Sequence, residues 1–140
     1  MKDTELRQER DRSVYETYLR GLRTQTFTTV REAADWVRSQ PAPQYFISGR
    51  MAAYYISKLQ QGKDLGKVHP NTRQKVLDLY ANYLRYREEH PDCRRGRQYI
   101  CELLVEEEAP CYYINYEYTC MIINRMRAQH QKQLQKRYRR

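Results

Sequence analysis

The residues in this 140-residue chain with the chemistry for catalysis or metal binding are four cysteines, three histidines and a run of three glutamates. Their spacing argues against both activities. Cys93, Cys101, Cys111 and Cys120 stand 8, 10 and 9 positions apart. No C-x-x-C pair occurs, the spacing with which zinc ribbons and fingers bring two thiolates to one metal. His69, His90 and His130 are scattered among helix ends and the C-terminal tail. Glu106, Glu107 and Glu108, close to Glu102, end a helix, where carboxylates oppose the macrodipole. They read as a solvated face or a counter-charge for the basic tail rather than as a metal cluster. Neither a glycine-rich phosphate loop nor a G-x-S-x-G elbow is present. No catalytic, cofactor-binding or metal-ligating residue is expected, and the chain is not read as an enzyme.

The remaining chemistry is phosphate binding. The chain carries 26 basic and 17 acidic residues, a net charge of +9. Seven of the bases, Arg125, Arg127, Lys132, Lys136, Arg137, Arg139 and Arg140, fall in the last 20 positions, which hold no acid. The other 120 residues are nearly neutral. A local cluster of this kind is the footprint of phosphate contact, through a segment that is helical or orders on contact. Its apolar residues after Met126 are only Ala128, Leu134 and Tyr138, too few for a membrane-anchoring face.

The elements that position these groups follow from an internal repeat. Residues 42–59 match residues 109–126 at an offset of 67. Ala42, Pro43, Tyr45, Ile47 and Ile56 meet Ala109, Pro110, Tyr112, Ile114 and Ile123. Upstream the offset is 65, with Val14, Tyr15, Tyr18, Leu19 and Arg20 over Leu79, Tyr80, Tyr83, Leu84 and Arg85. Each copy reads as three helices. The first spans about 3–24 and about 70–90, with apolar residues (Leu19, Leu22 and Leu84 among them) at helical spacing. The second spans about 29–40, behind a Thr29–Glu32 capping box, and about 96–107. Prolines then force a turn in which Tyr45, Phe46 and Ile47 run extended. Ser48 and Asn115 cap the third helices, to about Gln61 in copy one and on into the tail in copy two. Cys101 and Cys120 align with Ala34 and Ala53 and are assigned to core faces. Fourteen tyrosines against two phenylalanines and one tryptophan supply core edges with wet hydroxyls.

A supporting helix followed by helix, turn and helix outlines a helix-turn-helix unit. With Ala53, Ile56 and Leu59 facing inward, Arg50, Tyr54 and Lys58 on the third helix of copy one face outward as base- and phosphate-reaching groups. The equivalent surface of copy two, with Glu117 and Met121, suits packing instead.

The A-P-x-[FY]-[FY]-[IV]-[SN] turn, present at 42–48 and 109–115, resembles a motif in small uncharacterised helical proteins of gut Bacteroidales and their mobile elements, which carry it twice. The resemblance implies a fold but no activity.

The expected architecture is all-α: a tandem repeat of two three-helix, helix-turn-helix-like units sharing one core, with a basic helical or disordered C-terminal tail. The boundaries are a first repeat at 1–62, a linker at 63–69, a second repeat at 70–127 and the tail at 128–140. The expected function is non-enzymatic nucleic-acid binding, DNA before RNA, through Arg50, Tyr54, Lys58 and the seven tail cations. The alternative is a protein-interaction or assembly module, a homo-oligomer or a protein partner joined through the second repeat. With no signal peptide or membrane span in the sequence, the cytoplasm is the expected compartment and the cysteines are expected to be reduced.

Overall fold

The computed structural model describes residues 3–138, which form six helices: α1 (Asp3–Thr24), α2 (Val30–Arg38), α3 (Gly49–Gln60), α4 (Pro70–Glu89), α5 (Arg97–Leu104) and α6 (Tyr116–Tyr138). The fold is all-α. Local chemistry sets the helix ends. The Thr29 hydroxyl accepts from the Glu32 N–H, and the Glu32 carboxylate accepts from the Thr28 N–H and hydroxyl, one residue earlier than a closed capping box would use. These bonds hold the Glu32 carboxyl below its usual range. Ser48 caps α3 by accepting from the Met51 N–H, and Asn115 caps α6 by accepting from the Tyr118 N–H. Pro70 occupies the first turn of α4. Gly62, at φ 72°, ends α3: its N–H reaches the Leu59 carbonyl, and the next N–H reaches Lys58.

Packing crosses between the halves. Within the first half α1 lies on α2, and within the second α4 lies on α5. The third helices change sides: α3 packs on α4 and α5, while α6 packs on α1 and α2. In the structure neither α3 nor α6 forms a compact trio with the two helices that precede it. A short turn fixes where a helix starts but not which partner it chooses, and the exchange lets both halves close one core.

At the centre of the exchange the two turns meet. Ala42 and Ala109 exchange a pair of backbone hydrogen bonds, both 2.9 Å, as an isolated antiparallel bridge. Tyr45 stacks on Tyr113 and Phe46 on Tyr112, each at 6.1 Å between ring centroids. The turns are not extended throughout, as the sequence suggested. Phe46 and Tyr113 sit at φ 53° and 56°, in the left-handed region that bulky residues avoid. Such a conformation costs about 1–3 kcal/mol and persists only where surroundings enforce it. Here the ring stacks, the alanine bridge and the caps at Ser48 and Asn115 enforce it.

The buried faces follow from this packing. On α3 the innermost residues are Gly49, Ala52 and Ile56, with Ala53 and Leu59 half-buried at the edge. Gly49 lies so close to α5 that an added Cβ would stand 2.8 Å from the Glu102 Cα and 2.9 Å from its nitrogen. Cys101 and Ala34 are buried, whereas Cys120 is half-buried beside the core. Leu19, Leu22 and Leu84, expected on packed stripes, are exposed, because α1 turns Asp11, Val14, Thr17 and Tyr18 inward and α4 turns Lys75, Val76, Leu79 and Tyr83 inward instead.

Candidate nucleic-acid interface

α6 runs unbroken past the body. Its packed part ends at Met126, and from Arg127 to Tyr138 every residue is exposed. Those 12 residues extend the helix by about 18 Å at 1.5 Å per residue. Arg127, Lys132, Lys136 and Arg137 form no ion pair among the described residues. Projected at about 100° per residue, Lys132 and Lys136 fall on one stripe with Arg125, and Leu134 and Tyr138 lie on the opposite side. Arg139 and Arg140 lie outside the described residues.

Arg125 is different. Its guanidinium donates to the Asp11 carboxylate at 2.6 Å. Asp11, 8% exposed, also accepts from Arg10, which in turn donates to the Tyr118 hydroxyl and lies over that ring. The cluster clamps α6 to α1. Arg125 therefore belongs to the body's own electrostatics, at the root of the free tail. The acidic run 106–108, weighed as a docking surface for the tail, lies beyond α5, and α5 shares no packing with α6.

The α3 residues are placed elsewhere. Arg50 and Tyr54 line a cleft of about 960 Å³ where α3 begins. Leu6, Ile47, Met51, Tyr54 and Val105 form its apolar walls, and Asp3, Glu102 and Glu106 bring three carboxylates to it. A phosphate approaching Arg50 meets those acids. Lys58 is half-buried, with Nζ 4.9 Å from the Tyr54 ring centroid. α3 and α6 share no packing. Arg50, Tyr54 and Lys58 thus form one group and the tail cations another.

Three features had no local signal. The cleft acids come from α1, α5 and the segment after α5. Asp11 reads in sequence as one charge on a polar helix. Lys75, on α4, is 9% exposed, with Nζ 5.8 Å from the Tyr113 ring centroid. Burial first, and then the nearby Arg10 guanidinium, push its amine down to about 8. Burial also raises the Cys101 thiol to about 11, which leaves it unreactive near neutral pH. Tyr113 is raised far above its ordinary value by burial and by its 2.5 Å hydrogen bond to Asp78.

Among the described residues, no group of three or more His, Cys, Asp or Glu converges as a metal site. No helix among them is long and apolar enough to cross a membrane. No protein-family model, curated protein or solved structure matches the chain.

Proposed function

We propose that this chain is a non-enzymatic nucleic-acid-binding protein whose contact surface is the free end of α6. The observation that supports it most is the helix from Arg127 to Tyr138. It is exposed on every side, and Arg127, Lys132, Lys136 and Arg137 form no ion pair among the described residues. A solvated helix without packing is marginal on its own, and Lys132 and Lys136 at i and i+4 repel each other. A polyanion relieves that repulsion and gives each cation a phosphate.

The reading narrows the interface suggested by the sequence. The acids beside Arg50 and the burial of Lys58 weigh against α3 as a groove-reading helix, so contact is assigned to the tail. DNA is the preferred ligand, since a straight helix of this length fits a major groove and reaches the phosphates on its rims. We read the chain as two copies of one unit, the second having acquired the tail, and place it in the reducing cytoplasm.

Fluorescence anisotropy on a mixed-sequence DNA duplex and an RNA hairpin, across a salt series, tests this reading. The four unpaired cations give a slope of about −3 to −4 in log affinity against log salt. Truncation after Arg127 flattens that slope. Arg50→Ala and Lys58→Ala leave the affinity within about twofold, because rim charges outside the contact contribute little. Absence of binding by the full chain at about 50 mM salt ends the proposal.

A further inference from the structure

We propose that the cleft at the start of α3 receives the α6 tail of a second copy of this chain, a contact that goes beyond the nucleic-acid reading. The cleft and the tail have complementary chemistry. The cleft offers an apolar floor with Asp3, Glu102 and Glu106 around it. The tail offers Leu134 and Tyr138, an i, i+4 apolar pair on the free helix, with Tyr138 85% exposed. At about 100° per residue Arg127 projects between those two, and Arg137 flanks Leu134. Two apolar anchors on one helical stripe with cations beside them is the pattern of a helix laid in a groove. A volume of about 960 Å³ gives room for both anchors.

A chain's own tail does not occupy its own cleft: no residue of α6 lines it. α6 is held to α1 through Arg10–Tyr118 and Asp11–Arg125 and is continuous to Tyr138. The cleft lies at the start of α1, beside Asp3 and Leu6, whereas α6 leaves the body after Met126 and continues about 18 Å as an exposed helix. The occupant is therefore a tail from another copy. Because one surface meets a different surface, the contact is heterologous and recruits further copies head to tail. Lys132 and Lys136 face away from the seated stripe, so the tail keeps a cationic side toward solvent.

Sedimentation velocity on the full chain at about 50 mM salt, over a wide concentration range, tests the proposal. The expected result is a weight-average mass that rises above 17.1 kDa with concentration and falls when salt screens the contact. Leu134→Asp with Tyr138→Ser, both on the exposed tail, weakens association at least about tenfold, or about 1.4 kcal/mol. Asp3→Lys with Glu106→Lys does the same from the cleft side. Each charge-reversed cleft regains association when mixed with a chain carrying Arg127→Glu and Arg137→Glu. Lys132→Ser with Lys136→Ser leaves self-association within about twofold while weakening nucleic-acid binding. A chain that stays monomeric at all concentrations overturns the proposal. So does association that survives the tail substitutions, or charge-reversed partners that fail to recover it; circular dichroism on every variant excludes misfolding as the cause.

Discussion

The turns at 42–47 and 109–114 have nearly the same backbone, and the helices they launch have different fates. Phe46 and Tyr113 share one left-handed φ, Ser48 and Asn115 cap alike, and Ala42 and Ala109 bond each other. Yet α3 stops at Gln60 in a glycine cap, while α6 continues to Tyr138. The junctions beneath them differ as well. Where α1 faces α6 with Asp11 holding Arg125, the matching position on α4 is Val76, fully apolar and 1% exposed. One crossing is clamped by charge and the other by packing. The backbones agree where the halves meet, and the buried side chains differ between α1 and α4.

Ile56→Ala and Ile123→Ala probe the shared part. Both isoleucines are 0% exposed, and each truncation costs about 3–4 kcal/mol. Chemical denaturation that finds the two losses more than about 1.5 kcal/mol apart breaks the equivalence of the crossings. Asp11→Ala probes the divergent part. It leaves Arg10 and Arg125 without their carboxylate and costs about 2–3 kcal/mol, lessened by the partial exposure of Arg125. Val76→Ala on the other side costs a similar amount, but through a cavity rather than through unpaired charges.

Lys75 sharpens the comparison, because its counterpart at the 65-residue offset is the well-paired Arg10. Below about pH 8 the buried amine is charged in folded and unfolded chains alike, and its desolvation cost is fully present. Between about 8 and 10.5 the folded chain sheds the proton first, so stability rises with pH across that window. Lys75→Met stabilises by about 1–3 kcal/mol at neutral pH and removes the rise, read from denaturation midpoints at pH 7 and 10. The smallest effects belong to the turn tyrosines. Tyr112→Phe leaves Thr17, 5% exposed, without its 2.7 Å hydroxyl partner and costs about 1–2 kcal/mol. Tyr45→Phe loses only a donation from the half-exposed Asn82 and costs about 0.5–1 kcal/mol. Equal losses in thermal denaturation would mean that the hydroxyls are interchangeable.

Much of the local fold was legible in the sequence. Helical spacing and end signals place α1 and α4 within a residue of their observed bounds, and the caps at Thr29, Ser48 and Asn115 form as their residue types suggest. What was not legible is nonlocal. No hydropathy pattern says that α3 prefers α5 to α2, since an apolar stripe fits either. Propensity argues against a left-handed Phe46, and only stacking across the molecule holds it there. Within the candidate interface the tail cations were readable because they adjoin in sequence. The acid-walled cleft around Arg50 was not, because its carboxylates come from separate segments that meet only after folding.

The crossing of α3 and α6 also sets a timetable for synthesis. When the ribosome has released residues 1–62, α1 and α2 can pair, but the buried face of α3 has nothing to cover it, because α4 and α5 are still to come. The groove between α1 and α2 in turn waits for α6, at the far end of the chain. Ile56 and its neighbours are therefore uncovered from the completion of α3 until α5 is made at Leu104. The nascent chain needs either quick emergence of its second half or a chaperone to shield that face, and a pause early in the second half is where a crowded polysome would let one copy's α3 find another copy's α5.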